Sequence, residues 1–158
     1  MATLTAARAA STFPVFSPPH GSGVLCVAWG TYAIAANPTA ADIIRMCKVP
    51  AKATVLGGYL MASDIDTGTE ALDMDFGWEA TADEVADPDG FGNFGVWDGD
   101  TVGQIIPVAG SWKPLQGVLL TAGPKTFTAE AMLSLTVNAP ANATGTGQVT
   151  AVVFYVVP

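Results

Sequence analysis

The sequence predicts an all-β fold: a single-domain β-sandwich or jelly roll of about eight strands, preceded by an extended N-terminal arm. Three observations predict it. Apolar runs of strand length recur along the chain, separated by 17 glycines and 11 prolines in 158 residues, which suits short strands joined by turns. Residues 71–79 alternate between apolar and polar side chains with period two, the mark of a half-buried strand. The stretch Gln148–Val157 is β-branched almost throughout, the composition of a central strand covered on both faces. A chain of this length buries roughly two-thirds of its unfolded surface and needs no disulfide framework, so Cys26 and Cys47 read as buried thiols.

Taken in order, residues 1–23 hold Pro14, Pro18, Pro19 and His20 without periodicity, and are read as the arm. Residues 24–158 form the body, which opens with the apolar strand Val24–Tyr32. Ala40–Val49 follows Asn37-Pro38 and stops at Pro50; Ile43, Ile44 and Met46 fit a helical turn or a strand, and a strand is preferred. Ala53–Ser63 is a strand whose internal Gly57-Gly58 marks a bulge or a close backbone approach, and Asp64–Gly68 is a turn. In the alternating stretch, Leu72, Met74, Phe76 and Trp78 face a core. Ala71, Asp73, Asp75, Gly77 and Glu79 then face water or a partner. Thr81, three residues before Glu84, is placed to cap a short helix ahead of Pro88. Asp87–Asp100, with glycines at 90, 92, 95 and 99, reads as a long loop exposing Phe91, Phe94 and Trp97. Strands resume near Gln104–Val108, Gln116–Thr121, Thr126–Val137 and Gln148–Val157.

Charge excludes several function classes. The net charge is −8, with four Lys and two Arg in all. That is too few to replace counterions along nucleic-acid phosphates or to hold an anionic membrane. No apolar run reaches the ~18 residues of a spanning helix, and no apolar h-region near Met1 suggests a secretory signal. Twelve of the fourteen acids lie between Asp64 and Asp100, and no Lys or Arg lies between Lys52 and Lys113. One face or edge is therefore expected to be strongly acidic.

Several strings resemble catalytic motifs and fail on context. Gly90-Phe-Gly-Asn-Phe-Gly95 has dinucleotide-binding letters, but Asp87, Asp89, Asp98 and Asp100 around it would repel a pyrophosphate. Asp75-Phe-Gly77 lacks the other kinase strings. Asp66-Thr-Gly68 matches the aspartic-protease triplet in a single copy, so a dyad would have to form across a homodimer; a turn is the preferred reading. His20 is the only histidine and lies in the arm, which leaves Ser/His, Cys/His and zinc chemistry almost without raw material. Asn142-Ala-Thr144 reads as a turn rather than a used glycosylation sequon. No cofactor is expected, save that Asp87, Asp89, Asn93, Asp98 and Asp100 offer calcium the oxygen ligands it prefers. The EF-hand pattern is not met, and the bland alternative is a solvated acidic loop.

A family resemblance rests on Asp42-Ile-Ile-Arg-Met-Cys-Lys-Val-Pro-Ala51, Ala53-Thr-Val-Leu56, Ser63-Asp-Ile-Asp-Thr-Gly68 and Leu72-Asp-Met-Asp-Phe-Gly77. In this order they resemble small structural proteins of tailed bacteriophages, the head decoration or cement proteins. The resemblance covers about residues 24–158, and its motifs are turn and strand signatures. It implies a jelly-roll or sandwich body, homotrimeric, on the outer surface of an icosahedral head where capsomers meet, with the major capsid protein as partner. The arm would reach along the shell, and no active site is implied. Phe13, Phe16 and His20 in the arm, with Phe91, Phe94 and Trp97, are the candidate interaction surface. The acidic segment 81–100 departs from the family's shorter versions. The alternative is a receptor- or glycan-binding β-sandwich of the virion, whose loop aromatics would stack on sugar among Asp98 and Asp100.

Overall fold

A computed structural model describes residues 2–13, 23–63, 65, 66, 69, 71–97, 110–142 and 146–157. In chain order these form β1 (Thr3–Thr5), a 3-10 turn (Ala7–Ala9), β2 (Cys26–Ile34), β3 (Ile43–Val49), β4 (Thr54–Ser63), β5 (Asp73–Trp78), β6 (Asp87–Gly92) and β7 (Gly110–Pro114). There follow a single helical turn, α1 (Val118–Thr121), then β8 (Lys125–Thr126), β9 (Ala131–Ala139) and β10 (Gly147–Val156). One sheet runs β1-β3-β9-β5-β6 and the other β2-β10-β4-β7, with β8 beside β4. Apart from β1, every pairing is antiparallel. The result is the all-β sandwich that the sequence predicts. Its pairs nest, β2 with β10, β3 with β9, β4 with β7 and β5 with β6, as in one long double ribbon rolled up so that successive pairs alternate between the sheets.

The core lies between the sheets and is built from alternate residues of each strand. Met74, Phe76 and Trp78 of β5 point inward beside Leu133, Leu135 and Val137 of β9, opposite Val149, Ala151, Val153 and Tyr155 of β10. The inward face assigned to residues 72–78 from their periodicity is thus the core face. β10 is central as expected, paired on both sides, although Val152, Phe154 and Val156 keep its outer face partly open. The Gly57-Gly58 pair marks a bulge: Phe154 pairs with Gly57 and Tyr155 with Val55, leaving Leu56 as the extra residue. Gly30 is required by packing between the sheets, since a Cβ there would lie 1.9 Å from the Met46 carbonyl oxygen.

The structure corrects five expectations. Residues 3–9, expected to lie apart from any packed element, add a parallel edge strand to β3 and bury Ala6 and Ala9. Asp42 ties them down, its Oδ1 accepting from the Ala2 N–H at 2.7 Å and its Oδ2 from the Thr39 N–H at 2.9 Å. These bonds hold its carboxyl below the ordinary value of 3.8. Asp87–Gly92, expected as loop, is β6, and it covers Asp75 and Gly77, which were expected to face outward. Thr81 does cap, its Oγ1 accepting from the N–H groups of Asp83 and Glu84, but the segment is a bend rather than a helix. Gln116–Thr121 is not a strand: Gly117 takes φ +52° and the chain coils into α1. The continuous strand expected over 126–137 is broken between β8 and β9. The strand expected at 104–108 lies outside the described residues.

Candidate interaction surfaces

The acidic edge is formed by β5, β6 and the end of β9. Asn138 Nδ2 donates to Asp75 Oδ2 at 2.7 Å and to Asp73 Oδ1 at 3.2 Å. Asp75 is only 5% exposed and its Oδ1 has no hydrogen-bond partner. Burial pushes its carboxyl above the usual 3.8, and the neighbouring charges of Asp73 and Asp89 add to the rise against the Asn138 bond. Asp87 is raised in the same direction, by burial first and by the adjoining Asp89 second. Of the calcium candidates, Asp87 and Asp89 sit on β6. Asn93 turns its side chain onto its own loop, accepting from the Gly95 N–H at 3.3 Å. Asp98 and Asp100 lie outside the described residues. Among the described residues no three His, Cys, Asp or Glu side chains converge on a point where an ion would sit.

The aromatic surface expected here is largely core. Phe91 is 0% and Trp97 2% exposed. Phe91 packs with Phe76, Trp78 and Phe127 at centroid distances of 5.2–6.2 Å. The Trp97 indole donates to the Met74 carbonyl at 2.8 Å. Two of the glycines that suggested a loop have a packing reason: a Cβ on Gly90 would lie 2.1 Å from the Trp78 ring, and one on Gly92 2.6 Å from the Phe94 ring. Phe94 is half-buried, its carbonyl accepting from Lys113 Nζ at 3.3 Å. Phe13 is also used internally, because the Arg8 guanidinium lies between its ring (4.8 Å) and that of Trp29 (3.9 Å). Phe16 and His20 lie outside the described residues. Asp66, the residue of the protease-like triplet, is buried and accepts from the N–H groups of Ala71 and Leu72 at 2.7 and 3.0 Å. It fastens the chain that follows β4 to the start of β5 and offers a substrate no approach; residues 64, 67 and 68 of the expected turn lie outside the described residues.

A cleft of about 320 Å³ opens on the outer side of β3 and β9, lined by Ser11, Arg45, Lys48, Glu79, Glu130 and Met132 among others. Its charges answer one another. Arg45 donates through Nε and Nη2 to the two oxygens of Glu79, both at 2.6 Å, and Lys48 pairs with Glu130 at 3.0 Å. A fork-to-fork pair of this kind fixes geometry more than it adds stability at a half-exposed site. No uncompensated charge is left to select an ionic ligand.

A third surface was missed by the sequence reading. The outer face of β2-β10-β4-β7 carries Val27 and Trp29 on β2, Val152 and Phe154 on β10, Tyr59 and Met61 on β4, and Trp112 and Pro114 on β7. Register sets them in rows, Trp29–Val152–Tyr59–Pro114 and Thr31–Thr150–Met61–Trp112. Tyr59 lies 5.9 Å from Trp112 and 6.1 Å from Phe154, ring centre to ring centre. Val27, Trp29, Leu56, Met61 and Trp112 are each 40–44% exposed. None of the strands β2, β4, β7, β8 and β10 contains an Asp or Glu. The signal in the sequence was the absence of charged residues at the outward alternate positions of four separate strands.

No protein-family model matches the chain, and no curated protein matches it. Solved structures do. A chain of the cyanophage Pam1 capsid asymmetric unit is 23% identical, with a TM-score of 0.63 over 96% of this chain and 99% of that one. A chain of the capsid of Ralstonia phage GP4 is 18% identical, with a TM-score of 0.68 over 99% of both. A chain of the acid-stable capsid of Helicobacter pylori bacteriophage KHP30 is 13% identical, with a TM-score of 0.54 over 87% of this chain and 91% of that one. At these identities the likeness is one of fold.

Proposed function

We propose that this protein is a non-enzymatic component of a tailed-phage head, a decoration or cement protein that binds the outside of the shell where capsomers meet and holds them together. The observation that carries the reading is the likeness, over 87–99% of this chain, to three chains found in phage capsids. Between 91% and 99% of each of those chains is matched, so the likeness spans them nearly whole. The nested ribbon of β2/β10, β3/β9, β4/β7 and β5/β6, read as jelly-roll connectivity, agrees with it. So does the chemistry, since Asp42 and Asp66 fasten backbone N–H groups and Glu79, Glu84 and Glu130 pair with Arg45, Lys125 and Lys48. The partner is the major capsid protein, met by many modest contacts whose repetition over the shell supplies avidity. The acidic edge suits a basic patch on that partner.

Heads assembled without the protein test this directly. Adding the purified chain should give saturable co-sedimentation and raise the temperature at which the heads release their DNA. Heads that bind none of it and open at an unchanged temperature would overturn the proposal.

A further inference from the structure

We infer that the outer face of β2-β10-β4-β7 is the surface by which one copy of this chain meets a second copy. Size supports it. The five side chains that are 40–44% exposed leave on the order of 400 Å² of apolar surface, taking about 200 Å² for a whole side chain. Tyr59, Val152, Phe154 and Val156, partly open beside them, add roughly 200 Å² on the same scale. About 600 Å² is the upper end of what a monomer leaves exposed in one patch. Two such faces together cover about 1,200 Å², the lower bound for a specific pair.

Charge selects the occupant. The chain carries −8, so copies repel unless they meet where the acids are absent. The acids that lie within described strands, Asp73, Asp75, Asp87 and Asp89, are all on the sheet β1-β3-β9-β5-β6; the other described acids lie in connections, and the strands of the opposite sheet hold none. In a face-to-face pair of sandwiches the two acidic layers stand at opposite ends of a four-sheet stack, about 30 Å apart at ~10 Å per sheet. That is about three Debye lengths at 0.1 M salt. A basic partner is drawn instead to the acidic side. Arg8 lies over the Trp29 ring at 3.9 Å, at the β2 margin of the face.

The test uses the purified full chain and does not depend on head binding. Sedimentation across two decades of concentration should show the mass rising from 16.1 kDa to a multiple of it, undiminished at high salt. Met61→Glu, at an exposed position in the middle of the face, should weaken association about tenfold or more by setting carboxylates against apolar surface. Trp112→Ser is the second variant should the first fail to fold, and Glu130→Gln on the other sheet should leave association unchanged. A chain that stays at 16.1 kDa throughout, a Met61→Glu protein that associates like the parent, or a monomer that uses this face only on heads would each overturn the inference.

Discussion

Truncating Trp78 to alanine should be among the most damaging single changes in this chain. The indole is 5% exposed and meets Phe91 edge-on at 5.2 Å and Phe127 at 5.4 Å. Its N–H donates to the Val85 carbonyl at 3.1 Å, and Lys125 Nζ lies 4.9 Å from its centre. Three separate segments wall the site, so it cannot collapse when the ring is removed. That places the loss toward the upper part of the ~3–5 kcal/mol range for large aromatic truncations. In a domain of this size it corresponds to a fall in melting temperature of about 8–20 °C. Urea unfolding followed by far-UV circular dichroism checks the value, with an unchanged slope showing that only stability moved. Trp78→Phe separates the contributions: it keeps the ring contacts, leaves the Val85 carbonyl unpaired, and should cost about 1–2 kcal/mol. A loss below about 1 kcal/mol for the alanine variant would refute the assignment of residues 72–78 to the core.

Asp75 titrates above 3.8 in the folded chain, so the folded state holds this proton more tightly than the unfolded one. Stability therefore falls as pH rises from the ordinary aspartate value through the folded one, and stays lower above it. Asp75→Asn, which keeps an acceptor for Asn138, should be more stable than the parent at neutral pH, with the gap closing near pH 3.8 and below; a parent that is the more stable at pH 7 would contradict this. Gly30→Ala places a methyl 1.9 Å from the Met46 carbonyl, and should cost about 3 kcal/mol by forcing the sheets apart; unfolding within 0.5 kcal/mol of the parent would show the sheets to be farther apart. Cys47 is fully buried and its thiol is pushed up to about 12, so it should resist alkylation at mildly basic pH. Removing residues 2–13 uncovers the β3 edge and should make it react, and an inert Cys47 in a folded deletion product would show that these residues do not shield it.

What one strand does by itself was readable from the residues. The period-two alternation of residues 71–79 assigned the inward face of β5, and β-branching placed β10 at a sheet centre, because both are local signals of side-chain direction and packing density. The clustering of acids was equally plain, and the acidic edge with its Asp73–Asn138–Asp75 contacts is its result. What a residue meets across the fold was not readable. Phe91 and Trp97 sit among glycines and aspartates and look exposed, yet Gly90 is there to let the Trp78 ring lie against β6. Thr3–Thr5 has no pattern of its own and becomes a strand because β3 offers an unpaired edge. Asp75 follows the alternation outward and is buried because β6 returns over it. The apolar outer face is the clearest case. Its side chains come from residues 27–31, 54–61, 112–114 and 150–156, none of which is unusual alone. Only the β2-β10-β4-β7 order sets them side by side, since sheet topology, which acts over the whole chain, decides which outward residues become neighbours.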